Sequence, residues 1–291
     1  MITLEQARAF DALARHGTFA AAAAALNKRH TAIVYALRTL EDQTGLGLLD
    51  RRGYRTRLTP AGERILLHVR HLLAAERALD NACVEARTGW EPSIRLVFDG
   101  IFPVEPIVGA VDAVASATSS IRVDVSSEFL DGVERAFEEE EADFMIAVLS
   151  PKNEALRSRR LAPIRARLVA HRHHPLARSR RRLEESDLRA HVLLTVRGSD
   201  PRLSLSTVGI DAPMTVRLAD FHAKKAGILA GTGFGWMPEY LVTRELERGT
   251  LVCLSWHGAS VHAFEPRLYW RSGRRLGRAG RLVVDTLTAA T

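Results

Sequence analysis

Apolar positions near the start of the chain recur at helical spacing and are interrupted by short breaks. Leu4, Phe10 and Leu13 form one stripe, and Gly17 follows it as a typical helix C-terminus. Thr18 suits the N-cap of a second helix, which runs through the alanine tract at 20–25. The pattern therefore predicts two short helices joined by a tight turn.

A third helix and a small hairpin are predicted next. The helix spans 29–41, and its inward face is predicted to consist of apolar residues at helical spacing: Ala32, Ile33, Ala36, Leu37 and Leu40. After Gly45 come two leucines, a basic turn over 50–57 and Leu58, which predict a β-hairpin with Gly53 at its tip. Helix, turn, helix and basic hairpin together form the plan of a winged helix-turn-helix.

A long helix is predicted from Thr59 and Pro60, because threonine is a favoured N-cap and proline suits the first helical position. Its apolar residues alternate in steps of four and three, with Glu76 interrupting the row: Ile65, Val69, Leu72, Leu79, Cys83 and Ala86. Such a narrow stripe is typical of coiled-coil pairing. We interpret this helix as a dimerisation element, with packing on its own domain as the alternative.

The rest of the chain alternates strand-like and helix-like segments, which is typical of an α/β fold with a largely parallel sheet. Helices are predicted over about 103–117, 130–140 and 279–288. Strands are predicted over about 94–98, 121–125, 144–148, 167–170, 191–196, 215–218 and 251–255.

Composition narrows the class of protein. The 291 residues carry a net charge of +7, which permits a polyanionic partner without proving one. No apolar run is long enough to span a bilayer, and the N-terminus lacks the basic start and apolar run of a signal peptide, so we expect a cytoplasmic protein. The two cysteines, Cys83 and Cys253, stand far apart, which disfavours a disulfide framework or a zinc site.

The outer face of the third helix carries residues suited to DNA, since the major groove admits one α-helix. His30, Thr31 and Val34 are candidates for base contacts, and Tyr35 and Arg38 are candidates for phosphates. The hairpin adds cations for phosphate or minor-groove contacts. The full set of candidate DNA-binding residues is Arg29, His30, Thr31, Val34, Tyr35, Arg38, Arg51, Arg52 and Arg55. The alternative is an ordinary polar surface helix.

These segments resemble LysR-type transcriptional regulators. The resemblance is carried by GTFAAAAAALNKRHTAIVYALRTLEDQTGLGLLDRRGYRTRLTPAGERIL at 17–66, with the family's landmarks in order. HRHHPLARS at 171–179 and LAGTGFGWMPEYLV at 229–242 are similar to two further family segments. Two positions depart from the pattern: the usual Ser-Gln opening of the recognition helix is Arg29-His30, and the usual wing phenylalanine is Leu49. The family's operator preferences therefore do not transfer.

The resemblance implies a winged helix-turn-helix, a long linker helix and a two-lobed α/β regulatory domain like that of periplasmic binding proteins. It also implies a homodimer or homotetramer formed through the linker helix and the regulatory domain, and a small effector held between the lobes. We expect the DNA-binding domain at 1–59, the linker or dimerisation helix at 60–90 and the regulatory domain at 91–291. Lobe 1 then covers about 91–163 and 263–291, and lobe 2 about 164–262.

Candidate effector contacts lie where predicted strands end, because ligands of α/β folds gather at the carboxyl ends of strands. They are Asp99, Gly100, Ile101, Phe102, Thr195, Arg197, Ser199, Phe221 and His222. Arg197 could bind a carboxylate as a fork, and Asp99 opposite it makes an amino-acid-like ligand conceivable. The alternative is that Arg197 pairs internally and Asp99 caps the next helix. Lys224 and Lys225 lie on the predicted helix that opens at Asp220; we expect them to be exposed, with one of the two facing the cleft as the alternative.

Other functions find less support in the sequence. No catalytic signature is present, and no metal or cofactor is expected; the histidines at 171, 173 and 174 are interpreted as a surface loop. A solute-binding protein would explain the α/β half but not residues 1–60. The sequence predicts a LysR-type regulator that binds promoter DNA and responds to a small effector, with a carboxylate or an amino acid as the candidates. A ligand-independent regulator with a vestigial cleft is the alternative.

Overall fold

The computed structural model describes residues 1–50, 56–118, 121–153, 155–196, 210 and 214–289. It divides the chain into two compact units, Met1–Thr88 and Gly89–Thr291. Five of the candidate residues fall outside the described part of the chain: Arg51, Arg52, Arg55, Arg197 and Ser199. No helix of the described residues is long and apolar enough to cross a bilayer.

The first unit contains a helix-turn-helix followed by a short hairpin and a long helix. Its elements are α1 (Leu4–His16), α2 (Phe19–Ala25), α3 (His30–Thr44), β1 (Leu49–Asp50), β2 (Arg57–Leu58) and α4 (Pro60–Thr88). Thr3 caps α1 through a capping box with Gln6, and Gly17 ends that helix in the left-handed conformation. Strands β1 and β2 pair antiparallel, which agrees with the predicted hairpin.

The core of the first unit gathers the inward faces of α1, α2 and α3 and the first half of α4. Phe10, Leu13, Leu37, Leu40 and Leu48 are its most deeply buried large side chains. The expectation for Ala32 was wrong, because this residue of the predicted inward face is exposed; Leu4, the first residue of the α1 stripe, is exposed as well. Leu4 lies in the first turn of α1 and Ala32 in the first turn of α3, where neighbouring helices give less cover.

A buried carboxylate ties α1 to α4. Asp11 accepts a hydrogen bond from Arg15 at 2.7 Å and one from Arg70 at 2.9 Å. Because Asp11 is nearly inaccessible to solvent, the two guanidinium groups compensate the cost of burying its charge. The contact fixes the start of α4 on the helix-turn-helix.

The long helix α4 has two apolar faces. Leu66, Val69 and Leu73 pack into the core of the first unit. The predicted stripe only partly shares this face: Val69 is buried, whereas Leu72 and Leu79 are 43% and 65% exposed. The outer part of the stripe thus has no cover from the described residues of the chain.

The second unit contains two sheets with helices packed on them. The first sheet has the order β4-β3-β5-β13-β6 and consists of β3 (Ser93–Asp99), β4 (Arg122–Glu128), β5 (Phe144–Ala147), β6 (Leu156–Arg160) and β13 (Arg267–Arg271). Its helices are α5 (Val104–Ala117), α6 (Asp131–Glu139) and α10 (Arg278–Ala289). Buried Glu91 accepts the backbone N–H groups of Ala279 and Gly280, both at 2.9 Å, and so caps α10.

The second sheet has the order β11-β7-β10-β8-β9, with β12 also paired to β7. Its strands are β7 (Ile164–His171), β8 (Leu193–Val196), β9 (Thr215–Leu218), β10 (Phe234–Pro238), β11 (Leu251–Cys253) and β12 (Val261–Phe264). The helices on this side are α7 (Glu185–Arg189), α8 (Phe221–Leu229) and α9 (Glu239–Glu247).

The expectation of a largely parallel sheet was wrong, because both sheets are mixed. In the first sheet β3 runs parallel to β4 and β5, whereas β13 runs antiparallel to β5 and β6. In the second sheet β8 runs parallel to β9 and β10, whereas β7 runs antiparallel to β10, β11 and β12. The antiparallel strands β7 and β13 each follow a segment in which the chain passes from one sheet to the other.

Those two crossing segments lie side by side. The backbone N–H of Leu161, before β7, donates to the carbonyl of Pro266, before β13, at 3.0 Å. The sheets are therefore linked by two adjacent connections, and a cleft opens beside them.

Candidate DNA interface and ligand pocket

The outer face of α3 is polar and accessible. His30, Thr31, Tyr35 and Arg38 are exposed, with Tyr35 at 74%, while Val34 is partly buried. On the inward face Ile33, Ala36, Leu37 and Leu40 are buried. Exposed and buried residues of α3 recur with the helical period, so one face anchors the helix in the core and the other is presented to solvent.

The N-terminus of α3 carries no side-chain cap. Arg29 occupies the N-cap position, and its side chain makes no capping hydrogen bond. The first amides of a helix attract anions when no side chain satisfies them. Exposed Arg29, Arg38 and, on β2, Arg57 add positive charge to this unit; Arg57 was not among the candidates singled out from the sequence.

The second unit holds an apolar pocket of about 70 Å³ between its two sheets. Four of the predicted effector contacts line it: Asp99, Ile101, Thr195 and Phe221. Val196, which follows Thr195 at the same strand end, and Lys224 also line the pocket. The other lining residues were not anticipated, because they belong to strands and loops that are distant in the chain: Phe129, Leu130, Val148, Ala166, Trp236, His262 and Phe264.

Three predicted contacts lie elsewhere among the described residues. Phe102 lines a larger groove of about 420 Å³ beside the crossing segments. His222 is exposed at the start of α8. Gly100 lies beneath the ring of Phe129, where an added Cβ would stand 2.5 Å from a ring atom. The larger groove has charged residues at Arg165, which is exposed, and at Glu239, which pairs with Arg167 at 2.9 Å.

Lys224 is buried in the pocket wall, which corrects the expectation that it is exposed. Its side-chain nitrogen donates to the carbonyl of Trp236 at 2.8 Å and lies 5.5 Å from the centre of the Phe221 ring. Burial alone lowers the pKa of Lys224 to about 7 from its ordinary value of 10.5, since no described carboxylate pairs with it. The next residue, Lys225, points away and pairs with Glu245 at 2.7 Å.

Asp99 is the second buried charge of the pocket. One of its carboxylate oxygens accepts the N–H of Ile101 at 3.1 Å, and the other accepts the N–H of Leu130 at 3.0 Å. Burial raises the pKa of Asp99 to about 6, and the two hydrogen bonds offset only part of that shift. Asp99 therefore joins the end of β3 to the start of α6; it does not cap the next helix as the alternative had it, because α5 begins after Pro103 and has no side-chain cap.

Two contacts cross the cleft. The ring of Phe129, from the first sheet's side, lies 6.1 Å from the ring of Phe221 on the second sheet's side. The hydroxyl of Tyr240 donates to the carbonyl of Ile101 at 3.1 Å. The two halves of this unit thus meet around the pocket.

The histidine run at 171–174 is partly structural. His174 is buried rather than part of an exposed loop, its Nδ1 accepts the N–H of Leu176 at 3.3 Å, and its ring lies 4.9 Å from that of His191. Burial, with the neighbouring imidazoles His191 and His171, lowers the pKa of His174 to about 4. Within the described residues no group of three His, Cys, Asp or Glu is arranged to hold a metal ion.

Comparison with known proteins identifies the family. Residues 4–63 match the model for the bacterial regulatory helix-turn-helix protein, LysR family, and residues 87–291 match the LysR substrate binding domain. The chain belongs to the LysR family of DNA-binding transcriptional regulators, which combine a helix-turn-helix with an effector-binding domain. The fold class predicted from the sequence is confirmed.

Individual relatives agree with this assignment. The chain is 29% identical to the uncharacterised regulator YeeY of Escherichia coli K12, over 83% of this chain and 79% of that protein. Its fold is similar to that of ArgP from Mycobacterium tuberculosis, with a TM-score of 0.67, 21% identity and coverage of 98% and 96%. It is also similar to CbnR complexed with its target DNA, with a TM-score of 0.63, 20% identity and coverage of 99% and 100%.

The buried lysine predicts a specific pH dependence of stability. Because the folded state lowers its pKa, the unfolded chain binds this proton more readily between about pH 7 and 10.5, and stability rises across that range. Relative to Lys224→Met, the native protein is expected to gain about 2 kcal/mol of unfolding free energy between pH 7 and 9. Urea unfolding followed by tryptophan fluorescence measures this, since all four tryptophans lie in the second unit.

Lys225→Met is the matched control, because it removes the neighbouring lysine, which lies outside the pocket lining. This variant should keep the native pH dependence. Curves of native protein and Lys224→Met that stay parallel from pH 7 to 9 would show that Lys224 is not buried as described.

Proposed function

We propose that the chain binds promoter DNA through α3 and that a small molecule in the pocket modulates this binding. The observation that carries the proposal is the exposed face of α3, whose opposite face is fixed in the core of a helix-turn-helix. The similar regulator CbnR is complexed with its target DNA, which supports a duplex as partner. A regulator of promoters works where the chromosome is, so we assign it to the cytoplasm.

The residues of α3 divide into base-reading and phosphate-binding roles. His30 and Thr31 lie in the first turn, the part of a recognition helix that meets base edges in the major groove. Val34 offers a methyl-sized contact for thymine. Tyr35, Arg38 and Arg29 are assigned to phosphates, and so are the wing arginines Arg51, Arg52 and Arg55.

Dimerisation is assigned to the outer stripe of α4. Leu72, Leu79, Cys83 and Ala86 are exposed and lie within a narrow sector of the helix at 100° per residue. Exposed leucines repeated along one helix face are typical of a surface that pairs with another helix. A pair of chains joined this way presents two recognition helices to a two-fold-symmetric site.

The pocket is assigned to an effector. Asp99 and Lys224 are buried charges without a described counter-ion, and such groups cost folding free energy. A vestigial cleft would gain stability if apolar residues replaced them, so their presence favours a functional site. A ligand that binds better when the lobes are closed would shift the population of conformations and thereby the affinity for DNA.

The domain limits follow from these roles. We assign residues 1–59 to DNA binding, 60–90 to the linker and dimer contact, and 91–291 to regulation. The crossing segments near 161–163 and 265–266 separate a lobe of about 91–163 and 263–291 from one of about 164–262.

The phosphate role of Arg38 is testable by salt dependence. Arg38→Gln should weaken binding to all duplexes alike and reduce the steepness of log affinity against log salt by about 1.8 for a pair of chains, because each chain loses one phosphate contact worth about 0.9. Fluorescence anisotropy with the DNA upstream of the chain's own gene and with a scrambled duplex measures both quantities.

Arg87→Gln is the control, because it removes the same charge at a position about 40 Å along α4 from the first residue of that helix. This variant should leave the slope unchanged. An unaltered slope for Arg38→Gln would remove this residue from the interface. Loss of preference for one duplex without a change of slope would instead assign it to a base.

The dimer contact is testable by sedimentation. The double variant Leu72→Glu/Leu79→Glu should sediment as a monomer of 32.2 kDa, because four carboxylates would meet in the paired stripe. Both leucines are exposed within the chain, so the fold itself should persist. Ala78→Glu places a carboxylate on a different exposed face of α4 and should remain oligomeric; a double variant as oligomeric as the native protein would place the dimer contact elsewhere.

A further inference from the structure

The ligand pocket contains two buried charges of opposite sign, one from each half of the second unit. Asp99 is at the end of β3 in the first sheet, and Lys224 lies in α8 on the second sheet. Both line the same pocket, and their residues are 1% and 3% exposed. No ion pair between described residues involves either group, although they share one cavity.

The lysine is held in place by a feature of the neighbouring strand. Gly235 on β10 lies against the lysine stem, so that a Cβ there would stand 2.8 Å from Lys224 Cε and 2.5 Å from the carbonyl oxygen of Leu194. A glycine at this position therefore lets the lysine lie flat along the strand. Of the three protons of its ammonium group, one is used by the carbonyl of Trp236. The remaining two are available to a bound anion.

The carboxylate of Asp99 also retains capacity for a partner. Each of its oxygens accepts one backbone N–H, whereas an ionised carboxylate offers about four acceptor sites. Burial is the largest cause of the pKa shift of each group. Among the described residues no hydrogen bond or ion pair joins Asp99 to Lys224, so each group retains capacity for a charged partner.

The remaining walls are mainly apolar, with Thr195 and His262 as their polar members. Aliphatic side chains and the rings of Phe129, Phe221, Trp236 and Phe264 surround the two charges, and His262 adds an imidazole whose pKa is lowered by burial. A cavity of about 70 Å³ holds on the order of five water-sized groups. The occupant is thus compact, with an apolar body.

We propose that this pocket binds a small apolar α-amino acid as a zwitterion, with its ammonium group on Asp99 and its carboxylate on Lys224. The proposal rests on the pocket being the effector site and names the chemical class of that effector. Lys224 replaces Arg197 as the carboxylate partner considered from the sequence.

Charge balance favours a zwitterion over a ligand with one charge. A plain carboxylate pairs with Lys224 but brings a second negative charge near Asp99. A plain amine pairs with Asp99 but brings a second positive charge near Lys224. A zwitterion pairs both groups and adds no net charge. Because its two ends engage opposite halves of the unit, it also links them across the cleft and stabilises the closed arrangement.

Isothermal titration calorimetry with matched probes tests the assignment on the full-length protein. L-Valine carries both charges, 3-methylbutanoate lacks the amine and isobutylamine lacks the carboxylate, while all three share the same branched body. L-Alanine and L-proline extend the series in size. We expect at least one of the three amino acids to bind. If valine binds, each of its one-charge analogues should bind about 30-fold more weakly or worse, because each leaves one buried charge unpaired.

Variants test the two anchors separately. Lys224→Met and Asp99→Asn should each weaken binding of the amino acid about 30-fold or more, while Lys225→Met should bind like the native protein. Asp99→Asn keeps an acceptor oxygen for one of the two backbone N–H groups. If a variant fails to fold, the probe series on the native protein still decides whether the ligand is a zwitterion. Absence of binding by all three amino acids, or equal binding of valine and 3-methylbutanoate, would overturn the zwitterion assignment. Undiminished binding to Lys224→Met would overturn the role of the lysine.

A DNA-binding readout separates this inference from the proposed function. If the amino acid binds through Lys224 but leaves DNA affinity and footprint unchanged, the ligand class stands and the effector role fails. If a ligand without these two charges alters DNA binding through the pocket, the effector role stands and the zwitterion fails.

Discussion

Two adjacent chain crossings between the sheets of the second unit determine most of what that unit can do. The backbone hydrogen bond from Leu161 to Pro266 holds the crossings side by side, so the two halves remain connected at one edge of the cleft. Away from that edge they meet through Phe129 against Phe221, through Tyr240 donating to Ile101 and through a buried apolar cluster that contains residues of both sheets.

Buried charge gives the cleft its chemistry. Asp99 and Lys224 lower the stability of the fold, since neither has a described counter-ion and both are removed from water. A ligand that supplies the missing partners recovers part of that free energy, and it does so only while the two halves are together. In the proposed mechanism, ligand recognition and lobe closure are one equilibrium, and its effect on DNA passes through the pairing of two chains.

Local patterns predicted the helices of the first unit, α5, α6 and α10, and seven strands of the second unit, but neither the remaining strands β6, β10, β12 and β13 nor which side chains meet. Asp99 was found because it follows a short apolar strand, and the face of α3 followed from its period. Lys224 was left undecided because, in a Lys-Lys pair, the sequence does not say which residue is buried; the small neighbour that makes room for it, Gly235, lies on another strand. The direction of β7 was missed because a short apolar run does not indicate the direction of its neighbours, and β13 was not predicted as a strand. In α4, Val69 belongs both to the apolar stripe predicted from the sequence and to the face that is buried in the core. A single row of apolar residues in the sequence therefore covers parts of two different faces of the helix.

The functional assignment depends above all on one claim: two chains form a symmetric dimer that recognises a specific DNA sequence. Selection of bound duplexes from a random library by the full-length protein, followed by sequencing, tests this directly. We expect an enriched motif of two inverted half-sites, with centres about one helical turn or a multiple of a turn apart. A bound pool in which no motif is enriched, or one that contains only a single unrepeated site, would be incompatible with a symmetric reader of DNA.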